Sequence, residues 1–323
     1  MAEIKFTTSL EHNIQVLKNI FKNDNTFITR MAKNKNGLTC AVCFFDGMVN
    51  NLAINQSIIR PIVSCYESKV TAETLAETII QINDSIVQPD LNKMLSAMMY
   101  GDTVILTEGE DKPVVVNTKG FSVRSSSEPD NERVLRGPRE GFTEAFMINL
   151  SMIRRRLNDT RLKFSFSRMA THSQTAVCLC YLDGVTDEKL VKEIKKRLDN
   201  IDLDGILDAN YIAECIRDEQ SSPFPTLGTT ERPDVVVAKL LEGRVAIITD
   251  GSPVVLTAPC ILQECIQAND DYYLPVMQAS LARIIRSCGI LLSIIIPALY
   301  VALLYHHAEL LATRLLLARA AAQ

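Results

Sequence analysis

The sequence predicts an α/β protein of two tandem related α/β subdomains followed by a C-terminal transmembrane helix. Three observations predict it. Residues 289–305 (GILLSIIIPALYVALLY) carry no charge. The chain before them alternates helix-period and strand-period segments. The order of those segments occurs twice, with matching motifs in register.

Residues 10–21 place Leu10, Ile14, Leu17 and Phe21 at helical spacing, which predicts an amphipathic helix. Residues 37–45 form an apolar strand-like run ended by Asp46-Gly47, a turn signal. Helices are predicted over 52–62, 72–82 and 89–100. The last has Pro89 and Asp90 at its start and Gly101 at its stop. Residues 103–107 and 113–117 are then two strands of a hairpin. Residues 122–141 break the pattern with Ser, Pro, Gly and charge, as a linker or an irregular ordered crossing does.

The same order then returns. A helix over 142–157 ends in Arg154-Arg155-Arg156, cations suited to a helix C-terminus. A strand over 175–182 ends in Asp183-Gly184. Helices follow over 187–199, 210–217 and 233–242, the last opened by Pro233-Asp234 and stopped by Gly243. Strands over 244–249 and 253–257 flank Asp250-Gly251. The anchors of the duplication are CAVCFFDG (40–47) against VCLCYLDG (177–184), and GDTVILT (101–107) against GRVAIIT (243–249). The predicted division is subdomain 1 over 1–121, linker 122–141, subdomain 2 over 142–262, an amphipathic connector 263–283, the membrane helix 284–305 and a short helical tail 306–323.

From Ile284 to Tyr305 the apolar stretch covers about 22 residues, roughly 33 Å of helix, enough to cross a bilayer core. Arg283 and Arg286 precede the uncharged run 289–305; their long side chains can snorkel to headgroups, and they mark that side as cytoplasmic. Pro297 would kink the helix, which membrane helices tolerate. The residues before it read as soluble, and the whole chain has a mildly negative net charge of -4. No strongly basic face points to nucleic acid. The N-terminus has no long apolar core, so no signal peptide is expected. Nine cysteines, several inside apolar strand-like runs, argue for a reducing compartment.

Few residues suggest chemistry. Cys40 and Cys43 would point to opposite faces of a strand and cannot jointly grip a metal. Cys178 and Cys180 share a face but lack a second pair at zinc spacing, so all four read as buried thiols. His306-His307 diverge on a helix, and His12 and His172 stand alone. Asp202 to Gly205 resembles part of a calcium loop without the downstream Glu. No catalytic triad or paired acids appear, so neither an enzyme nor a cofactor or metal is expected. The densest cluster is RGPREGF (136–142), which could bind an anion ahead of a helix or lock the linker by salt bridges. Without a Walker lysine or dinucleotide glycines, locking is favoured. The residues expected at the subdomain joint are Arg136, Arg139, Glu140, Arg154, Arg155, Arg232 and Asp234.

Several longer runs carry a resemblance: RGPREGFTEAFMINLSMIRRRLNDTRLKF (136–164), YLDGV (181–185), RLDNIDLDGILDANYI (197–212), SPFPTLGTTERPDVVVAKLLEGRVAIITDGSPVVLTAP (222–259), DDYY (270–273) and PALYVAL (297–303). Together they resemble the A-subunit family of spore germination receptors, the GerA type. The likeness is close over roughly the last two thirds of the chain and one of pattern over residues 10–121. The resemblance implies a protein of the inner membrane of bacterial spores, with its N-terminal region cytoplasmic. It implies a ring of A subunits whose membrane helices form an ion pathway, a transporter-like B subunit that binds the nutrient, and a lipoprotein C subunit. A stage V AF-type sporulation paralogue shares the architecture. Members continue with further spans, whereas this chain stops after about one span and a Leu/Ala-rich tail, which suggests a truncated gene or fragment.

Overall fold

The computed structural model describes residues 6–120, 132, 134, 137–218, 225–261, 264 and 266–303. Two five-stranded antiparallel sheets organise it. The first has β1 (Phe27–Lys33), β2 (Thr39–Phe45), β3 (Ser85–Val87), β4 (Thr103–Thr107) and β5 (Val114–Val116), in the order β1-β2-β4-β5-β3. The second has β6 (Leu162–Met169), β7 (Thr175–Leu182), β8 (Gly228–Thr230), β9 (Val245–Thr249) and β10 (Val255–Ala258), in the order β6-β7-β9-β10-β8. The two orders are the same.

The central strands are buried on both faces, which is why they read as unbroken apolar runs. In β2, Cys40, Val42 and Phe44 enter one core, while Ala41, Cys43 and Phe45 enter the other. Helices cover each face. On the first sheet, α1 (Leu10–Ile20) and α5 (Leu91–Met99) pack on the Phe45 side. The opposite side is covered by α2 (Asn51–Ala53) and α3 (Arg60–Ser64), joined by a π-helical stretch Ile54–Ile59, and by α4 (Ala72–Thr74), which continues as a π stretch Leu75–Ile79. On the second sheet, α6 (Phe146–Arg156) and α9 (Pro233–Leu241) take one face; α7 (Glu188–Asp199) and α8 (Ala209–Ile216) take the other. Asp90 and Asp187 accept from the first amides of α5 and α7, satisfying donors that the helix cannot.

Details of the repeat match as well. Buried Asn13 of α1 accepts from the Thr7 amide at 2.9 Å and donates to its carbonyl at 2.6 Å. Buried Asn149 of α6 does the same with Thr143, at 2.8 and 2.5 Å. This loop of hydrogen bonds holds residues 143–145 outside the helix, so α6 opens at Phe146 rather than at the predicted 142. Gly101 and Gly243 both have positive φ, 103° and 85°, and a Cβ on either would meet a backbone carbonyl oxygen at 2.9 Å, of Met48 and Val185 respectively. These two carbonyls follow the matched turn glycines Gly47 and Gly184. The periodicity did not reveal β1, β3, β6 and β8. All four lie at or beside sheet edges, where exposed polar residues interrupt the apolar signal.

The described chain divides into two compact units. Both sheets lie in the first, Met1–Arg133 with Pro138–Cys260. The second is Val134–Gly137 with Ile261–Gln323. In it a 3₁₀ turn, Asn269–Tyr272, precedes α10 (Val276–Val301), an unbroken helix of 26 residues long and apolar enough to cross a membrane. From Cys288 to Val301 its side chains are exposed on every face; nearer its start Ala279 is buried and Ala282, Arg283, Arg286 and Ser287 are half-buried. Gly137 in this unit has φ 122° and lies against the Tyr273 ring, which a Cβ would meet at 2.8 Å.

Candidate functional site: the arginine-locked joint

The first unit contains a joint between the two sheet systems. At the end of α6, Arg154 turns inward instead of to solvent. Its Nη2 donates to Asp24 Oδ2 at 2.5 Å and to Thr26 Oγ1 at 3.1 Å. Both side chains are buried, Arg154 to 2% and Asp24 to 0% exposure. The guanidinium stacks over the rings of Phe45, 4.1 Å from the centroid, and Phe164, 4.7 Å. Asp24 is prepared for this partner by its own turn, since its Oδ1 accepts from the Thr26 amide and hydroxyl. Removing one member of such a pair strands a buried charge and costs about 3–5 kcal/mol.

The edge of β6 completes the joint. The Asn25 amide donates to the Phe164 carbonyl at 2.9 Å, and Asn25 Oδ1 accepts from the Phe166 amide at 2.9 Å. The turn 23–25 thus caps the outward groups of an edge strand. Lys163 Nζ donates to the carbonyls of Ile20 and Thr160, and burial pushes its pKa down. Asn158 donates to Ser96.

The other expected joint residues fall in three places. Arg155 and Arg156 each donate to Glu140 at 2.5 Å. Burial opposes ionisation of Glu140, but the two guanidinium groups prevail and hold its carboxyl below the usual range. Arg232, fully buried, pairs with Asp234 at 2.7 Å and donates to the carbonyls of Glu132 and Pro138. The Glu132 carboxylate in turn accepts from the Thr230 hydroxyl and the Glu231 amide. In the stretch between the repeats, Glu140 is therefore held by ion pairs and Glu132 and Pro138 by hydrogen bonds. Arg139 is exposed, and Arg136 lies outside the described residues.

In the second unit, Arg286 makes two bonds to Asp271, at 2.6 and 2.7 Å, and one to the Ile266 carbonyl; Arg283 approaches Asp271 at 3.4 Å. The Arg286 hydrogen bonds lower the Asp271 pKa to about 2. Pro297 lies inside α10. Tyr305, His306-His307 and the tail lie outside the described residues.

No group of three or more metal-ligating side chains occurs among the described residues. Burial pushes the thiols of Cys40 and Cys43 up, to about 11 and about 12, and that of Cys178 well above its ordinary value. Such thiols are packing groups rather than nucleophiles. Sequence reasoning missed Asp24, Asn25 and Lys163. Asp24 alone carried a signal, an Asx turn two residues before Thr26.

The model of the Bacillus/Clostridium GerA spore germination protein family matches residues 15–323. The chain belongs to that family. GerA relatives include spore germination protein KA of Bacillus subtilis strain 168, 36% identical over 98% of this chain and 59% of its own length. Stage V sporulation protein AF of the same organism is 29% identical over 88% of the chain. The crystal structure of the N-terminal domain of the A subunit of the Bacillus megaterium spore germinant receptor GerK3 superposes with a TM-score of 0.59 at 29% identity, covering 80% of this chain and 98% of that one. The chain spans about three fifths of the length of spore germination protein KA. It thus shares the GerA fold of that receptor domain and continues into one candidate membrane helix.

Proposed function

We propose that this chain is an A-type subunit of a nutrient germinant receptor of bacterial spores. The observation that carries the reading is the two-sheet unit like the GerK3 A-subunit N-terminal domain, followed by a 26-residue apolar helix. In this reading α10 spans the inner membrane of the spore with the sheet unit on the cytoplasmic side, and Arg283 and Arg286 sit at the headgroup boundary. The A subunits associate in a ring, and their membrane helices contribute to an ion-release pathway. A transporter-like B subunit takes the nutrient and a lipoprotein C subunit completes the receptor. The arginine-locked joint makes the repeats one rigid lever, so that a push at one sheet is delivered to the other. No catalysis is assigned.

The test is potassium release from spores offered a nutrient panel, with the gene intact or deleted. The reading expects early release to one nutrient to be lost on deletion. Unchanged onset with slower later release supports the second reading, an AF-type amplifying role, which the similarity to stage V sporulation protein AF favours. Unchanged release to every nutrient refutes both.

A further inference from the structure

The repeat has an unequal pair of faces. In the second half, the α6–β6 face is covered by the first half: Arg154, Phe164 and Phe166 receive the turn 23–26, and Asn158 donates to Ser96 of α5. Matching Asn13 with Asn149 along the helices, and Phe27 with Leu162 through their partners Phe45 and Leu182, finds the same face in the first half. Arg154 corresponds to Lys18, Asn158 to Lys22, Phe164 to Thr29 and Phe166 to Met31. All four line an open groove of about 750 Å³ along α1 and β1.

The outward backbone groups agree. The Asn34 amide bonds to the Leu38 carbonyl and the Asp46 amide to Thr26, so the intervening pairs alternate and Thr29 and Met31 present their carbonyl and amide away from β2. Phe164 and Phe166 present theirs in the same way, and Asn25 caps them.

The surface that would fill this groove also exists uncovered. The second-half counterparts of Asp24, Thr26 and Met48 are Asp159, Arg161 and Val185. Asp159 reproduces the Asx turn of Asp24, its Oδ1 accepting from the Arg161 amide. Met48 is 1% exposed, whereas Val185 is 40% exposed. The charges complement as well: Lys18, Lys22, Glu11 and Glu108 line the groove, and the turns carry Asp159 and Asp183 beside Arg161, which pairs with Asp159 of its own chain at 2.7 Å.

We infer that the α1–β1 groove of one copy seats the 159–161 and 183–185 turns of a second copy of this chain, repeating between chains the joint that each chain makes internally. Thr160 would take the place of Asn25, its amide donating to the Thr29 carbonyl. The contact is heterologous, each copy offering one groove and one turn face, and such contacts close rings when the rotation per step allows. It rests on the reading that the chain self-associates, and it assigns the surfaces.

The test places a benzophenone-bearing amino acid at Lys18 in the full chain in its membrane and maps the photo-adducts by mass spectrometry. The expected result is an inter-chain adduct within 157–161 or 183–185. Met31→Pro removes only an outward edge amide, which edge strands tolerate, and is expected to lower the adduct yield roughly tenfold. Val185→Asp, on an exposed residue of the opposite face, should do the same and decides the matter if Met31→Pro does not fold. Adducts confined to the same chain, to another protein or to another segment of the second copy overturn the proposal, as does a yield indifferent to both substitutions. The mapping is independent of nutrient response. An adduct as expected with normal potassium release after gene deletion leaves the contact standing and sinks the receptor role; the reverse pattern does the opposite.

Discussion

Arg154 shows how much one residue decides. Its cation sits at the end of α6, where helix electrostatics alone would welcome it. The structure instead spends it on Asp24, between two phenylalanine rings. Arg154→Met leaves buried Asp24 without its counter-charge, and a loss of about 3–5 kcal/mol is expected in denaturant unfolding of the chain. Arg154→Lys should recover little, because an ammonium cannot lie flat between the rings and bond Asp24 and Thr26 together. Gly101 and Gly243 give a second residue-scale prediction. Alanine at either meets a carbonyl at 2.9 Å with φ positive, whereas Gly37, φ 101°, has nothing within 4 Å. The first two substitutions should cost more than Gly37→Ala, by about 1–3 kcal/mol, measured in the same unfolding assay. Asp271 provides the pH dependence. Its folded pKa of about 2 lies below the ordinary carboxylate value near 4, so its ion pairs contribute stability that is fully present above about pH 4 and is lost as pH falls toward 2. Hydrogen exchange at residues 269–273 should accelerate through that window. In Asp271→Asn the acceleration through the window should be absent.

At the scale of elements, the two repeats solve one problem twice. The first helix of each carries a buried asparagine that pins the incoming chain by two hydrogen bonds. Asn149→Ala and Asn13→Ala each leave the Thr143 or Thr7 backbone unpaired. Each should destabilise by about 1–3 kcal/mol and should release its helix start first, seen as early exchange at residues 143–148 or 7–12. The central strands were legible because burial on both faces makes them continuous apolar runs, and Asp-Gly punctuation marked their ends, as Pro-Asp marked helix starts. The edge strands β1 and β6 were not legible. Their residues answer to partners far along the chain, as when Asn25 caps β6, and no local period records that.

For the whole molecule, α10 sets the expectation. From Cys288 to Val301 its exposed apolar surface covers every face, which water penalises at about 25 cal/mol per Å² and a bilayer does not. In spore membranes Ser293→Cys should resist aqueous maleimide until detergent is added, while a cysteine at Tyr272, before the helix, should label readily. Equal labelling of the two would remove the membrane span from the reading.

The α/β class, the duplication, the apolar helix and the family are all legible in the amino-acid order, because each is written in local period, in repeated turn chemistry or in long ordered motifs. It also drew attention to Arg136, Arg139, Glu140, Arg154, Arg155, Arg232 and Asp234; of these Arg154 bonds across to the other half, at Asp24. Only the tertiary structure decided their partners. Arg154 and Asp24 are 130 residues apart, and Arg232 and Pro138 are 94 apart. A charged side chain finds its counter-charge through the packing of two sheets, and that packing is a sum over both cores that no single stretch of chain contains.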